Sequence, residues 1–313
     1  MTETKLIKIF ISIDDFMKIY SRFISRIKLE EVGVKGTYSG KKVRQPGLSQ
    51  SEVMTIMIFY QICKFRDFKH YYIHFVLKYL KSYFPQLPSY TRFVELQKRV
   101  AIPLMYYARY TCKRSLSTGI QYVDSTILPV CHNRRIHSHK VLKGLAQRGK
   151  TSTGWFFGFK LHLIINHIGD ILSFFITPGN TDDRNLDIFN NLIKGVWGEV
   201  YGDKGYISKK LSDYLKNLGI TLLTKSKKNM KPPQLSLFQK IALNQRPIIE
   251  CTNDSLKNDV YISHTRARAV HAFFANIFAA IAAYQTSLDK KPAANFEFPF
   301  LIDDTQLVHA LAA

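Results

Sequence analysis

Acidic residues are scarce in this 313-residue chain: 23 Asp and Glu stand against 45 Lys and Arg, a formal net charge of +22. That imbalance says little about fold, but it biases partners toward polyanions, nucleic acid first, and steers them from a distance. Cysteine is sparse as well. Cys63, Cys112, Cys131 and Cys251 are scattered without a CxxC pair, so neither a zinc knuckle nor a disulfide framework is suggested, and a reducing cytoplasm fits. Long unbroken apolar runs are also missing. Asp14-Asp15 interrupts Ile9-Phe10-Ile11 before it could serve as a signal-peptide core. The most apolar helix-like run, Ala269 to Tyr284, contains His271 and Asn276 and is too short to span a bilayer comfortably. There is no GxSxG elbow and no internal repeat. Apolar material itself is plentiful, at 46% of residues, enough for a sizeable core and for two folded units.

From about residue 5 to 115 the apolar spacing is helical. Ser49-Gln50-Ser51-Glu52 reads as a capping box opening a run through Val53, Ile56, Met57 and Tyr60. Pro88-Ser89 opens another helix, with Tyr90, Phe93, Leu96 and Val100 at intervals of three and four. Basic turns lie between them: Lys41-Lys42-Val43-Arg44, Lys64-Phe65-Arg66 and Lys98-Arg99. This describes a helical bundle with basic edges, suited either to DNA contact or simply to solvation.

After residue 118 the period changes to two. Ile120 to Val130 predicts a strand. Trp155 to His167 predicts a second, with Phe157, Phe159, Leu161, Leu163 and Ile165 on one face and Lys160 and His162 on the other, polar one, where His162 either points toward the active-site surface or, with at least equal weight, is simply solvated. Gly169-Asp170 turns the chain into Ile171 to Thr177. A helix over Asp183 to Lys194, burying Leu186, Phe189 and Ile193, leads to a short strand, Val200 to Gly202, ending at Asp203. A helix over Lys209 to Leu218 and a strand at Ile220 to Thr224 follow, so the class is α/β with a mixed sheet. Lys225 to Gln245, with Lys227, Lys228, Lys231 and Pro232-Pro233, reads as a basic loop able to lie along a phosphate backbone. Val270, Phe273, Phe274, Ile277, Ile281 and Tyr284 form a core stripe, and 286–313 reads as a tail.

Two acids stand where acids do not ordinarily belong. Asp124 lies inside an apolar strand, where an uncompensated charge is costly. Asp203 lies at the carboxyl end of another strand, where open α/β sheets place ligands, although its glycine neighbours also suit a turn. Phosphoryl transfer by two metal ions needs such hard oxygen donors converging on one point. Other motifs carry less. Gly144 to Thr151 matches GxxxxGKT, but an alternating strand follows it instead of the helix that a phosphate loop requires. His132, His137 and His139, among Arg134, Arg135 and Lys140, lack metal-site spacing and read as a basic loop facing DNA.

Four segments together resemble bacterial insertion-sequence transposases with a DDE domain, nearest to the insertion-sequence nine-eighty-two family. They are the strand around Asp124, the block Gly154 to His162, the run Gly202-Asp203-Lys204-Gly205-Tyr206, and Arg246-Pro247-Ile248-Ile249-Glu250. The resemblance runs from about Pro46 to Tyr284. In the wider superfamily the third acid stands on a helix as Arg, three residues, Glu, six residues, Lys, a spacing that Arg246, Glu250 and Lys257 reproduce; Leu243 replaces the Tyr that often precedes the Arg. Glu199 and Asp254 compete for the third place and rank below Glu250.

The resemblance implies an RNase H-like mixed sheet flanked by helices (118–285), preceded by an all-helical DNA-end-binding domain (1–117). It implies Asp124, Asp203 and Glu250 as catalytic metal ligands for Mg²⁺, with Mn²⁺ as the alternative. Arg246 and Lys257 would contact DNA phosphates or orient the nucleophile, and Lys204, Arg134, Arg135, Lys160, Lys227 and Lys228 would contact DNA. The implied function is strand cleavage at transposon ends and transfer of the 3′-hydroxyl into target DNA, by a homodimer or larger synaptic complex on double-stranded DNA in the bacterial nucleoid. A nuclease without strand transfer, or an inactive DNA-binding remnant of an element, are the competing readings.

Overall fold

The computed structural model describes residues 2–31, 47–152, 154–263 and 267–286. The basic turn Lys41-Lys42-Val43-Arg44 and, apart from Thr286, the tail lie outside the described residues.

The first part is helical: α1 (Thr2–Glu31), α2 (Gln50–Ile62), α3 (Phe68–Tyr71), α4 (Leu77–Tyr79) and α5 (Tyr90–Lys113), with a π turn at Tyr72–Val76 joining α3 to α4. The predicted capping box forms. Ser49 Oγ accepts from Glu52 N at 3.2 Å, and Glu52 Oε2 accepts from Ser49 N at 2.7 Å, so two backbone donors that a helix start leaves open are satisfied. Ser89 caps α5 singly, its Oγ accepting from Arg92 N.

Six strands follow: β1 (Ile120–Cys131), β2 (Gln147–Thr151), β3 (Gly154–Asn166), β4 (Ile171–Pro178), β5 (Gly198–Gly202) and β6 (Ile220–Thr224). They form one mixed sheet ordered β2-β3-β1-β5-β6, with β4 also paired to β3. β1 runs antiparallel to β3 and parallel to β5, and β5 is parallel to β6. β2 and β4 share the outer edge of β3, β2 pairing with Gly154 to Gly158 and β4 with Phe159 to Ile165. Antiparallel strands followed by two parallel ones make the predicted RNase H-like sheet.

Helices cover both faces. On one side α6 (Leu186–Leu192) and α7 (Lys209–Asn217) pack Ile188, Phe189, Leu192, Leu211 and Leu215 against Val123, Ile164 and Val200. On the other lie α8 (Leu237–Asn244), α9 (Pro247–Asn258) and α10 (Val270–Thr286). Phe273 and Phe274 meet Phe159, and Phe278 meets Phe174. α10 is buried nearly all round because it also packs on α2 and α5, and one apolar core therefore continues from the first helices into the sheet.

Three expectations need correction. Lys225 to Gln245 is not one loop: Ser236 and Gln239 form a second capping box that starts α8, leaving only 225–236 irregular. The helix expected from Asp183 starts at Leu186, because Asn185 accepts from Asp187 N and caps it, so Asp182 and Asp183 stay in the preceding turn. The polar side of β3 around Lys160 and His162 is not solvated either. α6 and the turn before it lie over it, and His162 is fully buried.

β1 and β3 approach so closely that a Cβ on Gly158 would stand 2.1 Å from the Leu128 carbonyl oxygen, next to the register shift at Pro129. Backbone cannot yield as a side chain does. Gly158→Ala is expected to cost about 1–3 kcal/mol, read as a lowered thermal midpoint, and an unchanged midpoint would show that the strands can part freely here.

Candidate active site

The register of β1 on β5 puts Tyr122 opposite Tyr201, with Asp124 and Asp203 each two residues further along parallel neighbours. Side chains alternate, so the two acids share a face of the sheet with the buried tyrosines. Asp203 leaves the strand and caps a short 3₁₀ turn (Lys204–Tyr206), its Oδ1 accepting from Gly205 N at 2.8 Å. The structure thus shows the turn role of Asp203, on the sheet face that it shares with Asp124.

The third element arrives from the opposite layer. The Tyr122 hydroxyl donates to the Ala242 carbonyl at 3.0 Å inside the core, fixing the end of α8 against β1. Gln239 of α8 donates to Glu199 at 2.6 Å, and Tyr201 also donates to Glu199. That carboxylate, a competitor for the third place, is thus committed to holding α8 on β5. Asp254 accepts from Asn258 at 2.6 Å on its own helix.

Pro247 opens α9 at a position that needs no backbone donor. Arg246, Glu250, Asn253 and Lys257 then recur at helical spacing along one side. Arg246 bridges two of the acids: its Nη1 is 2.9 Å from Glu250 Oε1 and its Nη2 is 3.7 Å from Asp124 Oδ1. Asn253 Nδ2 donates to Asp124 Oδ2 at 3.1 Å, while Asn253 Oδ1 is buried with no protein partner. Asn253 carries no charge, and its only sequence signal is its place one turn after Glu250.

Asp124 responds to this environment. Burial pushes its carboxyl up, to about 6, against the opposing pull of Arg246 and the Ser125 amide, and the fields of Asp203 and Glu250 push the same way as burial. Like charges whose fields reach a largely buried carboxylate make a place where a cation is favoured. The donor set suits Mg²⁺ in type: a mid-strand carboxylate, a carboxylate just past a strand end and a buried amide oxygen with no hydrogen-bond partner are all hard oxygen ligands. Glu250 is the outlier, with 59% of its side chain exposed and its carboxylate on Arg246. Among the described residues no three His, Cys, Asp or Glu side chains are gathered closely enough to hold a metal ion.

The predicted DNA-contacting residues fall into separate groups. Lys204, Lys227, Lys228, Arg134 and Arg135 are exposed, and Lys257 is half-buried. Lys160 is largely enclosed: its ammonium donates to Asp183 at 3.0 Å and to the Thr181 carbonyl at 2.9 Å. Beside it His162 Nε2 pairs with Thr177 Oγ1 at 2.8 Å, and burial holds its ring well below the ordinary 6.5, at about 4. The Gly144 to Thr151 match lies in turns and in β2, which forms a hairpin with β3, so no helix terminus faces a phosphate.

Residues 114–270, half of the chain, match the family model for the transposase DDE domain. The chain belongs to this family. No curated protein and no solved structure matches it. The match encloses Asp124, Asp203 and Glu250 together with the whole sheet. It makes the chain a DDE-type DNA transposase of insertion-sequence kind, a polynucleotidyl-transferase-type enzyme that acts on DNA, in a family that generally uses divalent metal ions. Among the described residues no helix of the transposase is long and apolar enough to cross a membrane.

Proposed function

We propose that this transposase, of the insertion-sequence nine-eighty-two kind, cleaves a strand at each end of its element and joins the freed 3′-hydroxyl to target DNA. Asp124, Asp203 and Glu250 would hold two Mg²⁺ ions at one site. The observation that carries the reading is the convergence of Asp124 and Asp203 on adjacent parallel strands, with Asp124 pushed up by burial and by its acidic neighbours. When bound, the metal ions supply activation of the attacking oxygen and neutralise charge at the scissile phosphate. Arg246 serves as the internal counter-ion of Asp124 and Glu250, and its guanidinium would be available to a DNA phosphate were Glu250 to hold a metal ion. Asn253 holds the Asp124 carboxylate in line through its amide hydrogen. Lys204, Lys227 and Lys228 receive the phosphate backbone around the site, and the helical region 1–117 contacts the terminal inverted repeats. The acting form is a homodimer or larger synaptic complex in the bacterial cytoplasm.

The test is incubation of the purified chain with Mg²⁺ or Mn²⁺ and DNA carrying the element's ends. Cleaved ends and a joined product are expected. Cleavage with no joined product would make the chain a nuclease, and absence of both would make it an inactive remnant.

A further inference from the structure

Between Asp124 and Asp170 the sequence contains no acidic residue at all. Six cations of that stretch, Arg134, Arg135, Lys140, Lys143, Arg148 and Lys150, are exposed, on the loop after β1 and on the β2–β3 hairpin. The two pieces are tied together: Asn133 Nδ2 donates to the Trp155 carbonyl at 2.6 Å, and His139 lies edge-on to Phe157. Trp155 stands among these charges with half its surface open to solvent. Lys150 is its cross-strand partner and lies 5.6 Å from the ring centre, while the Arg148 guanidinium lies 4.6 Å from it.

Cations alone would serve a duplex backbone. An exposed tryptophan adds something a duplex cannot use, because paired bases already stack on one another; an unpaired base has a free face, and stacking on an aromatic ring is the means by which proteins hold single strands. Trp155 is eight residues along β3 from Leu163, the partner of Asp124, which is about 26 Å at strand rise. The base it takes is therefore not at the phosphate being cut.

We infer that Trp155, flanked by Arg148 and Lys150, is a stacking site for an unpaired DNA base, separate from the carboxylate site. The inference rests on the transposase reading for its partner, DNA, and adds the strand state that this surface selects.

The chain has two tryptophans, so Trp197→Phe leaves Trp155 as the sole indole reporter. That full-length variant, kept free of divalent cations so that nothing is cut, is titrated with a single-stranded oligonucleotide, a blunt duplex, and a duplex carrying one unpaired base, with occupancy followed by the anisotropy of labelled DNA. Quenching by the first and third, but not by the blunt duplex at equal occupancy, is expected. Trp155→Ala should weaken single-strand binding about 5- to 150-fold and duplex binding less than twofold, with Trp155→Phe restoring most of the loss. No quenching by single strands, or equal weakening of both DNA forms, overturns the stacking site. Asp203→Asn should still show the quenching. Failure of DNA joining by the native chain would refute the proposed strand transfer and leave this result standing, whereas failure of quenching alongside normal joining would refute only the stacking site.

Discussion

Asp203→Asn is expected to lower strand cleavage by at least about 10³-fold, roughly 4 kcal/mol of barrier, with DNA binding almost unchanged. The amide keeps the shape and can still accept from Gly205, so the 3₁₀ turn at Lys204 survives while the charge that would hold a cation is gone. Asp124→Asn should fall as far. Glu250→Gln is the discriminating case, because its carboxylate now sits on Arg246 and is mostly exposed. If Glu250 completes the cage it loses activity on the same scale; a loss under tenfold would remove it from the ligand set and reopen the third place. Asn253→Ala removes a hydrogen bond to a ligand rather than a ligand, and about 10- to 100-fold is expected. The measurement is single-turnover cleavage of end-bearing DNA in Mg²⁺. Full activity in Asp203→Asn would sink the metal assignment.

Some of this site was visible in the sequence because the signal was local. An acid in the middle of an apolar strand is costly wherever the strand packs, so Asp124 stood out before any partner was known. The alternation of β3 and the capping boxes at Ser49 and Ser236 are local too, although the second was masked by the lysines and prolines before it. What could not be read depends on which layer covers which face. Lys160 and His162 look like a solvated polar stripe in β3, but α6 and the turn before it close over that side, where Lys160 pairs with Asp183 and His162 Nε2 with Thr177 while His162 Nδ1 stays buried without a hydrogen bond, 3.7 Å from Asp183. Asn253 is uncharged and becomes meaningful only when the Tyr122 to Ala242 bond docks α8, and with it α9, against β1. Glu199, a competitor for the third place by sequence, is a structural acceptor, since Gln239 lies forty residues away in sequence and beside it in space.

Asp124 and His162 make opposite contributions to stability against pH, and removing one should unmask the other. Asp124 has its folded pKa raised from 3.8 to about 6, so between those values the folded chain keeps a proton that the unfolded chain has released. Stability from this group therefore falls as pH rises through that window, by on the order of 3 kcal/mol in total. His162 has its folded pKa lowered from 6.5 to about 4, so there the unfolded chain binds the extra proton and stability rises with pH, by an amount of similar order. The windows overlap from about pH 4 to 6, and the native protein should show a nearly flat thermal midpoint across them. Asp124→Asn deletes the falling contribution. Its midpoint should climb between pH 4 and 6.5 and stand several degrees above that of the native chain at pH 7 in the absence of divalent ions. Adding Mg²⁺ at pH 7 reverses the order, because binding to the folded state alone stabilises only the chain that retains the carboxylate. Parallel pH profiles for the two proteins would mean that Asp124 carries no buried charge, and an equal Mg²⁺ response would mean that it holds no metal.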